Sequence, residues 1–172
     1  MSKVYAVIRT IGEVSLEDCI GALKNQGFTE YRIVKDLTLQ NATKEILRIG
    51  YEKDQEYDWI MVVDADIILT VSKEEIEEYC NGIPKQDKLF CFTGWLFGTK
   101  IGYRDGMHFY RTKYCKEALN LIKYLDFSWH KGREESEICN YVKNNSTLVW
   151  RPGYKDYKKV CFGIHLANIN KG

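Results

Sequence analysis

Two carboxylates, Asp64 and Asp66, stand two residues apart directly behind the apolar run Trp59-Ile60-Met61-Val62-Val63. Residues two apart in a strand point to the same side, so the pair is expected to converge at a strand end. Two acidic groups beside a dry strand repel each other unless a cation sits between them. A hard divalent ion, Mn²⁺ or Mg²⁺, suits carboxylate oxygens and also takes diphosphate oxygens. Such an ion neutralises charge on a departing nucleoside diphosphate. The plainer reading of Asp-x-Asp alone is a solvated acidic turn. The continuous apolar strand in front of it is what gives the pattern weight.

The segments before the pair read as a regular frame. Val4 to Thr10 is apolar and β-branched, and short enough for a buried strand. Ser15 is expected to cap a helix that runs to Gln26, with Leu16, Cys19, Ile20 and Leu23 at helical spacing and Gly27 as its stop. Tyr31 to Lys35 reads as a second strand, and Asn41 to Tyr51 as a helix with Asn41 as its cap. Trp59 to Val63 is the third strand, continuously apolar as central parallel strands are. Strand, helix, strand, helix, strand predicts a Rossmann-like half with right-handed crossovers. Ligands of such sheets bind beyond the carboxyl ends of the strands, which puts the site near Thr10, Asp36 and Asp64. Further on, Ser72 is expected to cap a helix from Lys73 to Asn81. Leu89 to Thr93, Met107 to Tyr110, Thr147 to Trp150 and Val160 to Ile164 read as strands, and Tyr114 to Tyr124 and Glu134 to Lys143 as helices.

Composition narrows the class. The 172 residues fit one domain, with a nucleotide-binding half over about 1–70 and an acceptor half over about 71–172. Net charge is +1, from 25 basic and 24 acidic residues without a like-charged block, so nucleic acid is not an expected partner. The six cysteines include no Cys-x-x-Cys pair, which argues against a zinc or thioredoxin-type motif. No transmembrane segment and no signal peptide is read, and the thiols are taken as reduced, so the expected location is cytoplasmic.

In these segments the chain resembles GT-A glycosyltransferases, and glycosyltransferase family 2 among them. VYAVIRTIGEVSLEDCIGALKNQGF looks like that family's opening strand, loop and first helix. YDWIMVVDADIIL looks like its metal-binding strand end. The resemblance implies an α/β domain: a single GT-A (Rossmann-like) unit whose mixed, mostly parallel sheet is flanked by helices. It implies Thr10 beside the nucleotide, Asp36 accepting a hydrogen bond from the base, Asp64 near the ribose or the metal, and Asp66 on the metal. His165, in CFGIHLANI, is the implied third metal ligand. REESEICNYVK resembles the acidic pair that opens a helix in inverting members, so Glu135, or else Glu134, is the implied base that takes the acceptor's proton. Acidic residues also favour any helix's first turn because of its dipole. Trp95, behind Gly94, is a candidate for the donor sugar or acceptor. His108 and His130 carry less support. Lys44 and Arg111 are candidates for phosphate contacts, with surface charge as the plainer reading.

The expected reaction is transfer of a sugar from a nucleoside diphosphate sugar, a UDP sugar by the resemblance, to a glycan or other hydroxyl acceptor, with Mn²⁺ or Mg²⁺. Inversion is implied by the resemblance, and retention is the alternative if neither glutamate reaches the acceptor. The rivals are a sugar nucleotidyltransferase and a non-catalytic nucleotide-sugar-binding module of the same fold. The first would want a Gly-rich basic loop after the first strand, where Arg9-Thr10-Ile11-Gly12-Glu13 stands.

Overall fold

The computed structural model describes residues 1–84, 88–98, 102–126, 134–152 and 161–166. Its first half follows the expected alternation: β1 (Val4–Thr10), α1 (Leu16–Asn25), β2 (Tyr31–Lys35), α2 (Leu39–Glu52) and β3 (Trp59–Asp64). Then come β4 (Ile67–Leu69), α3 (Lys73–Asn81), β5 (Leu89–Gly98) and β6 (Gly102–Arg111). The last elements are α4 (Thr112–Ile122), α5 (Glu134–Asn144), β7 (Val149–Arg151) and β8 (Cys161–His165).

The described strands form one mixed sheet in the order β2-β1-β3-β6-β5-β8-β4, with β7 also paired to β5. β1 runs parallel to β2 and β3, and β5 runs parallel to β7 and β8. The β3–β6, β5–β6 and β4–β8 pairs are antiparallel. Among the described residues no helix is long and apolar enough to cross a membrane.

Strand alternation sorts the core onto two faces. Val4, Ala6 and Ile8 of β1, with Trp59, Met61 and Val63 of β3, join the side chains of α1 and α3. Tyr5 and Val7, with Ile60 and Val62, join those of α2, α4 and α5. Helices cover both faces, so the central strands are apolar at every position up to their carboxyl ends.

Several boundaries differ from the sequence reading. Thr38, not Asn41, caps α2, and its side chain accepts from the Asn41 amide at 3.3 Å. Ser72 does cap α3, in a reciprocal capping box with Glu75. β4 was not expected, because three residues carry no periodicity of their own and pair only with the distant β8. β5 and β6 are longer than expected. The expected end of β5 at Thr93 is passed, because the antiparallel pairing to β6 carries the strand through Gly94, with an irregularity between Gly94 and Trp95.

Gly94 has a packing reason to be glycine. A Cβ there would meet the Phe162 ring at 2.5 Å and Phe109 at 3.2 Å. Both rings are buried and packed on each other at 5.2 Å between centroids. Gly94→Ala is therefore expected to destabilise the fold by about 1–3 kcal/mol, as overpacking does. Urea denaturation measures it, and adding Phe162→Leu should recover part of the loss by making room for the methyl group.

Candidate functional site

The site is built where β1, β2 and β3 give out. Arg9 and Asp64 are direct cross-strand neighbours in the parallel ladder. Both occupy positions on the α5 side of the sheet, in phase with Tyr5 and Val7 on β1 and with Ile60 and Val62 on β3. Arg9 Nε donates to Asp64 Oδ1 at 2.6 Å and Nη2 donates to Oδ2 at 3.0 Å, a two-pronged pairing. The third nitrogen, Nη1, donates to Glu135 Oε2 at 2.8 Å. Glu135 reaches the site from the first turn of α5. Its other oxygen accepts from the Tyr110 hydroxyl at 2.7 Å.

His108 lies on the same side, two residues before Tyr110 on β6. Its ring stacks between Tyr110 and Trp150, with centroids 6.0 and 5.7 Å away. Its Nδ1 comes within 3.3 Å of Glu135 Oε2, but off the line of a hydrogen bond, so both buried ring nitrogens lack a hydrogen-bond partner among the described residues. Burial lowers the His108 pKa, against the pull of Glu135. For Glu135, burial favours the neutral acid. The Arg9 charge, His108 and the Tyr110 hydroxyl outweigh it and hold the carboxyl at about 2. Arg9 is pushed well above its ordinary value. Burial opposes its charge, but Glu135 and Asp64 together prevail.

The turn after β3 separates the two aspartates. Asp64 is committed to Arg9, whereas Asp66 meets β8: its Oδ2 lies 3.1 Å from His165 Nε2. The Asp66 carbonyl accepts from the Leu166 amide at 2.7 Å, which fastens the turn to the end of β8. Burial raises the Asp66 pKa; His165 opposes that, while Asp64 and Glu13 add to it. A buried carboxylate of this kind gains from a nearby cation. The expected trio of Asp64, Asp66 and His165 is not gathered around one point, and among the described residues no three His, Cys, Asp or Glu side chains form a metal cluster. Asp66 and His165 do place a carboxylate oxygen and an imidazole nitrogen side by side at the end of β8.

The remaining expected residues fall as follows. Asp36 ends β2 at the same edge of the sheet, exposed, in a left-handed conformation with φ of 57°. Its amide donates to the Thr10 carbonyl at 3.1 Å. Thr10 is buried on the α1 side. Its hydroxyl donates to Glu13 at 2.5 Å and accepts from the Gly12 amide at 3.0 Å, so the loop itself uses it. Ser15 stands at the cap position of α1 without making a cap bond; its hydroxyl instead donates to the Ala65 carbonyl at 2.9 Å, inside the aspartate turn. Trp95 is half-buried on β5. What approaches the backbone of Gly94 is Phe162, not space for a sugar.

Glu134 opens α5, and its side chain lies outside the described residues, as do Trp129 and His130. Lys44 is spent on the carbonyls of Lys123 and Leu125. Arg111 is buried over the Trp59 ring at the opposite end of β3, far from the aspartates. That opposite end also carries a cavity of about 460 Å³ lined by Lys3, Tyr57, Lys73, Glu56 and Glu77, whose mixed charges select no ligand.

Sequence reasoning missed Arg9 and Tyr110. A signal was there. Arg9 is the one charge in an apolar strand, and alternation puts it on the face that also receives Asp64. A cation in that position must find carboxylates.

No family model matches the chain, and no curated protein matches it by sequence. Solved structures do resemble it. One is a glycosyltransferase involved in the glycosylation of the major capsid of PBCV-1, with 11% identity, 95% of this chain and 93% of that chain covered, and a TM-score of 0.56. Another is a 4-diphosphocytidyl-2C-methyl-D-erythritol synthase from Anaerococcus prevotii, with 13% identity, 92% of each chain covered and a TM-score of 0.54. A third is A197 from STIV, with 17% identity, 82% of this chain and 78% of that chain covered, and a TM-score of 0.52. At such identities the likeness is one of fold. The chain shares its mixed-sheet α/β fold with these structures.

The Arg9 pairings have a stability consequence. Arg9→Met would leave two carboxylates facing each other without their cation, and about 3–5 kcal/mol of stability should be lost in urea titrations. Glu135 adds a pH signature. Its folded carboxyl sits at about 2 against an ordinary 4.5, so its ionised form stabilises the fold above that ordinary value. The contribution fades as the pH falls toward the folded value. The stability gap between wild type and Glu135→Gln should therefore narrow steadily on acidification.

Proposed function

We propose that this chain is a metal-dependent glycosyltransferase, resembling family 2, that moves a sugar from a nucleoside diphosphate sugar to a hydroxyl. The observation that carries the proposal is the pairing of Asp66 with His165 next to the Arg9–Asp64 pair. Both lie at the carboxyl ends of the parallel strands, in a fold shared with a glycosyltransferase. Open α/β sheets bind their ligands at that edge. Asp66 and His165 would hold Mn²⁺ or Mg²⁺, while Asp64 stays with Arg9. When bound, the ion supplies charge neutralisation for the leaving diphosphate. Asp36 is exposed at the end of the neighbouring strand, where it can accept from a base N–H such as that of uracil. Thr10 supports that edge through its loop rather than by an open hydroxyl, and Trp95 remains the aromatic candidate for the sugar or acceptor.

Glu135, with Glu134 as alternative, is the proposed base that takes the acceptor's proton, which gives inversion. In the geometry described, Glu135 is tied to Arg9 and Tyr110, so its proton affinity must rise before it can act.

The synthase among the similar structures favours a second reading, nucleotidyl transfer. The loop after β1 weighs against it. Glu13 puts a carboxylate on the Thr10 hydroxyl and the Ile11 amide, where a triphosphate would need free donors.

Thermal melting with a panel of nucleotides, with and without Mn²⁺, tests the proposal. UDP at about 100 times its Kd should add about 2.7 kcal/mol of stability. The gain should need the metal and should vanish in Asp66→Ala. Stabilisation by CTP or UTP but by no diphosphate would favour the second reading, and no shift with any nucleotide would sink both.

A further inference from the structure

Both oxygens of Glu135 are taken, one by the Tyr110 hydroxyl and the other by Arg9. A carboxylate held this way is fixed in place but slow to accept a proton. Arg9 is not dedicated to it. The same guanidinium holds Asp64 with its other two nitrogens. Exposure falls along the series, from 32% for the Asp64 side chain to 13% for Arg9 and 6% for Glu135. An anion arriving from solvent therefore meets the guanidinium from the Asp64 side. Phosphate oxygens are strong competitors for a guanidinium, because they match its fork and carry more charge than one carboxylate.

We propose that Arg9 is a positioning residue that keeps Glu135 engaged until a diphosphate at the Asp64–Asp66 turn draws the guanidinium toward itself, so that donor binding readies Glu135 for the acceptor. This rests on the donor-site reading above and adds to it the part that Arg9 plays between the two carboxylates. Glu135 does not become bare when Arg9 turns away, since the Tyr110 hydroxyl stays on Oε1. Among the described residues, the other groups around it are His108, also on β6, Cys91 on β5, and Cys139 one turn along α5. None of these is a cation as strong as Arg9, and burial keeps His108 from becoming one. Loss of the Arg9 contact is therefore felt by Glu135 as a rise in proton affinity.

The test is carboxyl ¹³C NMR of glutamate-labelled protein, with the Glu135 resonance identified by its absence in Glu135→Gln. Free wild type should titrate at Glu135 near 2. UDP with Mg²⁺ should raise that midpoint by roughly one to three pH units. Arg9→Met should show the raised midpoint without any ligand, and Arg9→Lys should restore a low one in part. If Arg9→Met does not fold, the wild-type pair of spectra decides alone. Melting curves on the same samples separate the failures. UDP with Mg²⁺ that stabilises the protein while Glu135 keeps its low midpoint would overturn the exchange and leave the donor site standing. A free protein whose Glu135 titrates as an ordinary carboxylate would also overturn it. No stabilisation by UDP, by other nucleoside diphosphates or by pyrophosphate would remove the donor site and the exchange together.

Discussion

One guanidinium joins two parts of the chain that are 126 residues apart. Arg9 comes from the first strand and Glu135 from the last described helix, and Asp64 completes the set from β3. A largely covered Arg without carboxylates would be too costly to keep, and the buried Glu135 carboxylate without a cation equally so. Each group is tolerable only because the others are there. The arrangement ties the first turn of α5 to the carboxyl ends of β1 and β3.

Strand alternation makes this possible. Arg9 and Asp64 stand on one side with Tyr110 and His108, under α5. Thr10, one residue on, faces the other way and is used by the loop before α1. Asp66 leaves the strand altogether and is taken by β8. Two aspartates separated by one residue thus serve different partners. The turn between them is fixed by bonds to its main chain, from Ser15 through Ala65 and from Leu166 through Asp66. Backbone fastening of this kind frees the carboxylates to be placed by charge alone.

The local frame was readable from the residues. The apolar runs of β1 and β3, the helical spacing in α1 and the Ser72 cap all sit where short-range physics puts them. The same holds for the placing of Asp36 and Asp64 at one edge of the sheet. What escaped was long-range. Nothing near Ile67 says that three residues will pair with a strand almost a hundred positions later. Nothing near Glu135 says that its carboxylate will meet Arg9. Ser15 was read as a cap, because the group that uses its hydroxyl, the Ala65 carbonyl, is far off in sequence. The expectation that Asp64 and Asp66 would converge rested on strand geometry, which ends at Asp64, two residues short of Asp66. Arg9 itself was within reach, because a lone charge inside an apolar strand asks for a partner.

The place of β8 has a consequence for how the protein comes to exist. A ribosome delivers the aspartate turn long before it delivers His165 and Leu166. During that interval β4 has no strand to lie against, and Asp66 lacks the imidazole beside it. The nascent polypeptide therefore carries an open sheet edge and an unshielded acidic corner until synthesis has passed residue 166. Contacts of such long sequence separation also slow folding. The finished architecture thus implies a late locking step, in which a single returning strand closes the edge and seats the corner at the same moment.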